Sequence, residues 1–322
     1  MACPLPAPRN VNATGAANQG LRYAKFFAAW PIGQQEFKLD SDAKLNWVNA
    51  FAGARCGERG QLHDAAGRRA ALVEKLGGHT EPMVLTSPFV TGLGLDHPID
   101  NGFLWHQTLG VPYLPGSGVK GLIRAWAEHW LNDRAHLERL FGRDARHERG
   151  PAAGNLIVFD AIPSAPVQLM AEVMTPHDGG WRVPGSATRA PSDWLSPKPI
   201  PFLAVAPDTN GDYPFQFAFA PRGGAETGEV EQALHYLKDA LDWLGAGAKT
   251  AVGFGRFVDE NKLEDEVLNA WRVGDRAEFF RQPVEIVELD LAEKKVRLMN
   301  TQSGNNLKGM RDLTKLKRRK KP

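Results

Sequence analysis

The residues best suited to chemistry lie in one glycine-rich stretch, residues 244–257. It has two cations, Lys249 and Arg256, no carboxylate, and four glycines, Gly245, Gly247, Gly253 and Gly255. Glycine tolerates a positive φ and has no side chain, so a ligand can approach its backbone N–H group closely. Successive exposed N–H groups form concave sites that bind anions. These residue types therefore predict a loop that holds a phosphate group.

A nucleotide-binding P-loop is one reading of this stretch, because Ala248, Lys249 and Thr250 resemble the end of a Walker A motif. That motif requires glycine at the positions occupied by Ala248 and Trp243. A P-loop also follows a strand and precedes a helix. The surrounding pattern has the opposite order, which argues against an NTPase.

The stretch before the loop predicts a helix and the stretch after it predicts a strand. Upstream, apolar residues recur with helical spacing at Val230, Leu234, Leu237, Leu241 and Leu244. Gly245 suits the position just after the end of that helix. Downstream, Val252, Phe254 and Val258 would share one side of an extended strand.

A second candidate anion site precedes a predicted amphipathic helix. Pro115, Gly116 and Ser117 indicate a turn, with Ser117 as the helix N-cap. The apolar face of the helix would be Val119, Leu122, Ile123, Trp126 and Trp130. Lys120 and Arg124 are one turn apart near the start of the helix, where their positive charges oppose the helix dipole. A bound anion would offset this unfavourable interaction. The alternative is that both cations only solvate the helix surface.

Both stretches resemble signatures of the RAMP superfamily, the CRISPR-associated RNA-binding proteins. The resemblance is carried in one stretch by Gly245, Gly247, Lys249, Thr250, Gly253, Phe254, Gly255 and Arg256, and in the other by Pro115, Gly116, Ser117, Lys120, Gly121 and Arg124. Gly118 stands where the family usually has a second serine. The two signatures have the expected order and lie more than a hundred residues apart, so together they are more specific than either alone.

The preceding residues Gly92, Gly94, His97, Pro98, Gly102, Gly110 and Tyr113 are similar to the lead-in of RAMP subunits of type III-B (Cmr) effectors, most closely the sixth RAMP subunit. The resemblance implies an α+β fold, with a RAMP core of ferredoxin-like (RRM-like) domains that carry loop insertions. It also implies RNA-binding residues, namely Ser117, Lys120, Arg124, Gly245, Gly247, Lys249, Thr250, Gly253, Gly255 and Arg256. We expect the two stretches to lie beside each other in the fold.

Three regions are expected along the chain of 322 residues. Residues 1–80 form an N-terminal arm and helical lead-in, and residues 81–260 form the core with a thumb-like insertion around 172–201. Residues 268–322 contain short strands that resemble a small SH3-like β-barrel, followed by a basic tail.

Asp160 ends a predicted buried strand and is assigned a structural hydrogen-bonding role, because no second carboxylate is nearby in sequence.

Composition excludes several classes of protein. Hydrophobic residues make up 43% and charged residues 24% of a chain with a net charge of +2, so any anion site must be a local patch. The cysteines, Cys3 and Cys56, are too few for a disulfide framework and lack metal-ligand spacing, which predicts free thiols in the cytoplasm. We expect no signal peptide, membrane span, metal or cofactor.

Two functions remain open. The first is a non-catalytic subunit that binds the CRISPR guide RNA, and possibly target RNA, and packs on neighbouring RAMP subunits of a Cmr complex for antiviral defence. The second is a metal-independent RAMP endoribonuclease that processes CRISPR precursor RNA, with His97, His106 or His177 as general base. A third reading, packing on neighbours without RNA binding, is permitted by the small net charge.

Overall fold

The computed structural model describes residues 18–27, 39–131, 133–144, 147–177, 194, 196–197, 199–208, 211–223, 228–259, 262–263, 272–279, 282–291, 293–307, 309–312 and 317–318. The chain divides into two compact units, residues 1–258 and 259–322. Within the described part, the helices are α1 (Gln19–Lys25), α2 (Ser41–Asn49), α3 (Arg59–Lys75), α4 (Gly116–Trp130), α5 (Arg134–Phe141) and α6 (Glu229–Trp243).

The strands of the first unit are β1 (Arg55–Cys56), β2 (His79–Leu85), β3 (Gly142–Arg143), β4 (Ala152–Ala153), β5 (Leu156–Val158), β6 (Ile162–Pro163), β7 (Val167–Met174), β8 (Ile200–Val205), β9 (Phe215–Pro221) and β10 (Phe257–Val258). Those of the second unit are β11 (Arg276–Phe279), β12 (Gln282–Asp290), β13 (Lys295–Asn300), β14 (Arg311–Asp312) and β15 (Lys317–Arg318).

The central sheet of the first unit has the spatial order β10-β2-β9-β5, and β6 also pairs with β9. All of these pairs are antiparallel. Alternation along β9 buries Phe215, Phe217 and Phe219 completely, because side chains two residues apart share a face of a strand. The rings of Phe89 and Phe257 pack on that of Phe215 with centroid distances of 5.6 and 5.4 Å. These phenylalanines form the centre of the core.

The helices α4 and α6 pack side by side through aromatic pairs. Trp126 lies 5.4 Å from Tyr236, and Trp130 lies 6.0 Å from Trp243, between ring centroids. The predicted apolar face of α4 is buried at Val119, Ile123 and Trp126. Trp130 is 55% exposed, contrary to the sequence prediction, because it sits at the end of the helix beside Trp243, which is also exposed.

The predicted N-cap of α4 is wrong. The helix begins at Gly116, Pro115 occupies the cap position, and the side chain of Ser117 is exposed and makes no cap bond. Instead, Oδ1 of Asp160 accepts the N–H of Gly116 at 2.7 Å, which confirms the structural role assigned to this carboxylate. The cap thus comes from a residue distant in sequence, which local propensity does not reveal.

The predicted strand after the glycine loop is also shorter than expected. Residues Thr250–Val252 form a 3₁₀ turn, and the strand β10 contains only Phe257 and Val258. Lys249 and Gly253 flank that turn with φ values of 62° and 91°. Positive φ values interrupt an extended backbone, so the strand cannot begin before them.

A second sheet, ordered β1-β7-β8, adjoins the segment predicted as an insertion. The strands β7 and β8 pair as far as Met174 opposite Ile200. The intervening residues 178–193, 195 and 198 lie outside the described residues, as do residues 1–17 of the predicted arm. The paired strands therefore define only the base of the predicted insertion.

Among its described residues, the second unit contains one antiparallel sheet, ordered β14-β13-β12-β11-β15. Its core consists of alternate residues of three strands, Ala277, Phe279, Val284, Ile286, Val296 and Leu298. Buried and exposed residues alternate along these strands, as expected for a sheet with one buried face. Most of the basic tail lies outside the described residues.

Candidate nucleic-acid interface

The glycines of the loop after α6 let its backbone pack closely. Gly245 follows the end of α6 with φ = 73°, as predicted. A Cβ on Gly247 would lie 2.2 Å from the carbonyl oxygen of Val90, and one on Gly255 would lie 1.9 Å from that of Ala246. Only Gly253 faces open space, with no atom within 4 Å. The absence of a side chain at Gly247 and Gly255 is therefore needed because the protein's own backbone packs closely against these two residues.

Most of the N–H groups of this loop are used inside the protein. Internal acceptors take the N–H groups of Gly245, Ala246, Ala248, Val252, Gly253, Phe254, Gly255 and Arg256. The N–H groups of Gly247, Lys249, Thr250 and Ala251 form no hydrogen bond with any described residue. Residues 249–251 are consecutive, with Lys249 left-handed and the 3₁₀ turn following it. This combination of conformations is the backbone geometry of a nest, a concavity of N–H groups suited to an anion.

Lys249 adds a cation to this nest. Its Nζ lies 5.1 Å from the centroid of the Phe202 ring on β8, a cation–π contact that positions the ammonium group. The Phe202 ring also packs against that of Phe254 within the loop, at 6.2 Å. This contact brings Lys249 to the sheet from which the predicted insertion emerges. Phe202 was missed as a site residue because only the tertiary fold brings it under the loop.

Arg256 has a structural role in this fold. Its Nη1 donates to the carbonyl of Asp242 in the last turn of α6, and its backbone N–H donates to Oγ of Ser87 at 2.9 Å. A cation at the C-terminal end of a helix stabilises it by interacting with the helix dipole. The Arg256 side chain is therefore engaged at the helix end.

The cations of α4 lie in a different setting. Nε of Arg124 pairs with Oε1 of Glu128 at 2.7 Å. Partial burial lowers the pKa of Lys120, and the neighbouring cations Arg222 and Arg124 lower that pKa further. Arg222 was missed by sequence reasoning because it lies about a hundred positions away along the chain. The carboxylate of Asp160 already occupies the start of α4, so an anion there would meet a like charge.

Strand register relates the surroundings of the two predicted stretches, whose adjacency stays a prediction. Arg222 follows β9, whose end lies opposite the start of β2, with His79 paired to Phe219. The glycine loop leads into β10, which pairs with the other end of β2, Phe257 opposite Leu85. At about 3.4 Å per residue the two ends of β2 are about 20 Å apart. Arg222 and the glycine loop therefore adjoin strands that pair with opposite ends of β2.

Two of the three histidines of the nuclease hypothesis, His97 and His106, make hydrogen bonds within the fold. Nε2 of His97 donates to the carbonyl of Tyr23 at 3.0 Å, its ring stacks on Tyr23 at 4.5 Å, and burial lowers its pKa. Nδ1 of His106 accepts the N–H of Leu109 at 3.3 Å, and partial burial lowers its pKa as well. His177 follows the end of β7 by three residues.

The described residues contain neither a cluster of metal ligands nor a helix that could span a membrane. No group of three or more His, Cys, Asp or Glu side chains in the described ranges is arranged to hold a metal ion. Among the same residues, no helix has both the length and the apolar character needed to cross a bilayer.

The sequence matches the RAMP superfamily over residues 83–258, more than half of the chain. The chain belongs to the RAMP superfamily, which confirms the resemblance inferred from its motifs. It is 29% identical to the CRISPR system Cmr subunit Cmr6 of Pyrococcus furiosus, over 54% of this chain and 65% of that protein. It is 26% identical to the CRISPR system CMR subunit Cmr6 of Saccharolobus solfataricus, over 51% of this chain and 50% of that protein.

The match therefore spans between half and two thirds of the length of these relatives. Among solved structures, a type III-B Cmr-β complex bound to cognate target RNA contains a chain with a TM-score of 0.52 and 19% identity. That likeness covers 67% of this chain and 70% of the other, and it is a likeness of fold.

Proposed function

We propose that this chain is a non-catalytic RNA-binding subunit of a type III-B (Cmr) CRISPR ribonucleoprotein that acts in the cytoplasm in antiviral defence. In this proposal it binds the guide RNA towards its 3′ end, lies close enough to contact target RNA, and packs on neighbouring RAMP subunits. Membership of the RAMP superfamily and similarity to two Cmr6 subunits support this role. The observation that carries it is the nest at residues 249–251 beside the ammonium group of Lys249.

The glycine loop would bind an RNA phosphate without reading sequence. Backbone N–H groups and a lysine contact phosphate oxygens, which all nucleotides share. The hydroxyl of Thr250 adds a further donor at the same turn. Sequence-independent contact suits a subunit that must accept any guide. Gly253, which faces open space, leaves room for the RNA backbone to approach.

The architecture proposed for the core is a ferredoxin-like domain. Its elements follow the chain order β2, α4, β5, β9, α6, β10, and the strands take the spatial order fourth, first, third, second. This β-α-β-β-α-β arrangement supports the proposal. The order of the second unit, with its fifth strand beside its first, likewise supports an SH3-like barrel. We retain the expected division at residues 1–80, 81–260 and 268–322, with the thumb-like insertion near 172–201.

A non-catalytic role is supported by the surroundings of His97. General-base catalysis on a 2′-hydroxyl needs a ring nitrogen within hydrogen-bonding reach of that group. Both ring nitrogens of His97 are engaged, one with Tyr23 and the other with the N–H of Ile99 at 3.4 Å. No observation favours the endoribonuclease over the binding subunit.

Replacing Lys249 by alanine tests the proposed site. Each phosphate contact to a single strand contributes about 0.7 to the slope of log affinity against log salt, so Lys249→Ala should lower that slope by about 0.7 and weaken binding about 5-fold at 0.1 M salt. Fluorescence anisotropy with labelled single-stranded RNA measures both quantities. Lys75→Ala, at an exposed lysine in the last turn of α3, is the matched control. Equal affinity and slope for the two variants would refute the site.

A further inference from the structure

A small cavity lies between the helix α3, the loop that follows Trp105 and the strand β6. We name it the α3 cavity, and its polar lining residues are Arg68, Arg69, His106 and Thr108. Its volume is about 170 Å³. Pockets that enclose a whole small molecule usually measure about 300–1,000 Å³. The α3 cavity therefore has room for one side chain and not for a cofactor or a nucleotide.

Arg69 brings to this cavity a charge that no described carboxylate neutralises by direct contact. Its Nε and Nη2 donate to Oε1 of Gln216 at 2.9 and 2.6 Å, Nη2 also donates to the Gln216 carbonyl at 3.2 Å, and Nη1 donates to the carbonyl of Asp160 at 2.8 Å. A guanidinium group has five N–H donors, so one N–H of Nη1 has no acceptor among the described residues. Burial lowers the pKa of Arg69 to about 10, although the charge of Asp160 raises it. Buried charges are normally paired, so this arrangement favours an external anion.

The ring of His106 provides a second donor. Its Nδ1 accepts the N–H of Leu109 at 3.3 Å and lies 3.3 Å from the hydroxyl oxygen of Thr108. A neutral imidazole whose Nδ1 is an acceptor carries its proton on Nε2. That Nε2 has no hydrogen-bond partner among the described residues. Partial burial lowers the pKa of His106, while the charge of Asp160 raises it and that of Arg69 lowers it.

Arg68 adds a second guanidinium group at the surface of the cavity. It is exposed and forms no ion pair with any described carboxylate. Thr108 is exposed as well, so the cavity opens to solvent beside these two residues. The carboxylate that acts on Arg69, that of Asp160, already accepts the N–H of Gly116 at 2.7 Å. The positive charges of the cavity thus exceed the negative charge beside it.

The other walls of the cavity are apolar. They are formed by Leu62, Ala65, Ala66, Leu109, Ile162 and Pro163. Apolar walls around a few convergent donors suit a short hydrocarbon stem that ends in a carboxylate, and guanidinium groups bind carboxylates with strong, charge-assisted hydrogen bonds. The side chains of Asp and Glu have this form. An RNA phosphate carries a nucleoside on each side, which the volume of the cavity does not admit.

We propose that the α3 cavity receives one Asp or Glu side chain of a neighbouring protein chain, with Arg68, Arg69 and Nε2 of His106 as donors to its carboxylate. This inference rests on the proposed packing against neighbouring subunits and gives that packing an acidic residue at a defined place. A side chain that fills a pocket often contributes most of the binding energy of an interface. Charge complementarity at such a contact also selects the correct partner and orientation.

The test uses the full chain and single amino-acid probes. The amide of N-acetylglutamate carries the proposed side chain, the amide of N-acetylglutamine has the same shape without the charge, and inorganic phosphate represents the charged group of RNA. A carboxylate bound beside the ring stabilises the imidazolium form, so the glutamate probe should raise the pKa of His106. NMR titration of the histidine Hε1 signals measures both this pKa and the affinity. His106→Gln assigns the signal by removing it.

The glutamate probe should bind about 10-fold more tightly than the glutamine probe, because a hydrogen bond to a charged group is stronger than one to a neutral group. Arg68→Ala should weaken the binding of the glutamate probe about 3-fold, as the loss of an exposed ion pair does. The control is Arg59→Ala, which removes an exposed cation of α3 outside the cavity and should leave the affinity unchanged. Circular dichroism verifies the fold of each variant.

Three results would overturn the inference: equal affinities for the two amides, equal affinities of Arg68→Ala and Arg59→Ala for the glutamate probe, or binding of inorganic phosphate as tight as that of the glutamate probe. The last result would make the cavity a phosphate site. RNA binding by Lys249→Ala is measured separately and does not involve this cavity. The proposed RNA-binding function and the acidic contact can therefore fail independently.

Discussion

Replacing Gly255 by alanine should destabilise the first unit much more than replacing Gly253, although both glycines belong to the same loop. Both have positive φ, 73° for Gly255 and 91° for Gly253. They differ in what a side chain would meet, since a Cβ on Gly255 would lie 1.9 Å from the carbonyl oxygen of Ala246 and one on Gly253 would meet nothing within 4 Å. Comparing the two variants therefore separates the free-energy cost of the backbone conformation from the free-energy cost of the steric contact.

The magnitudes follow from these two terms. A left-handed conformation costs an alanine about 1 kcal/mol, which is the whole expected cost at Gly253. At Gly255 the side chain must also displace the backbone of Ala246. This displacement would break two hydrogen bonds, each 2.7 Å long. In one, the N–H of Ala246 donates to the carbonyl of Gly255; in the other, the N–H of Gly255 donates to the carbonyl of Pro88. Two hydrogen bonds at about 1 kcal/mol each bring the expected cost to about 3 kcal/mol.

Urea or thermal unfolding of the two variants measures the difference. A gap of about 2 kcal/mol corresponds to about 4–8 °C in Tm for a domain of this size, with Gly255→Ala unfolding at the lower temperature. Equal losses for Gly253→Ala and Gly255→Ala would refute the reasoning, because they would mean that the loop does not pack as described. RNA affinity adds a second readout, since Gly253→Ala places its methyl group on the open side of the loop.

Two further predictions concern groups that hold the core together. Asp160→Ala should cost about 1–2 kcal/mol by removing the cap on the N–H of Gly116, whereas Asp160→Asn, which keeps an acceptor oxygen, should cost less; equal urea midpoints for Asp160→Ala and the wild type would contradict the capping role. Burial places the pKa of His97 below its unfolded value of about 6.5, so its contribution to stability is present above about pH 6.5 and is lost as the pH falls below it. The wild-type Tm should therefore fall more between pH 7.5 and pH 5.5 than that of His97→Gln, and parallel pH profiles would rule this out.

The sequence predicted the elements whose signals are local. The helical spacing of Val230, Leu234, Leu237 and Leu241 placed the buried face of α6, and Gly245 marked its end. Such signals are readable because helix periodicity and the φ of a cap residue depend on neighbours within a few positions. The same holds for the RAMP signatures, which are short motifs and led to a family that the comparison confirms. An isolated Asp after an apolar strand was also enough to indicate the structural role of Asp160.

The sequence did not determine where these elements meet. Nothing local indicates that β2 pairs at one end with β9 and at the other with β10, because strand pairing joins residues more than a hundred positions apart. The tertiary fold brings Arg222 near Lys120 and places Phe202 under Lys249. It also replaces Ser117 by Asp160 as the cap of α4. The residue types along the chain determine which groups can bind a phosphate. Which of these groups lie close enough to bind the same phosphate is determined only by the tertiary packing of distant strands.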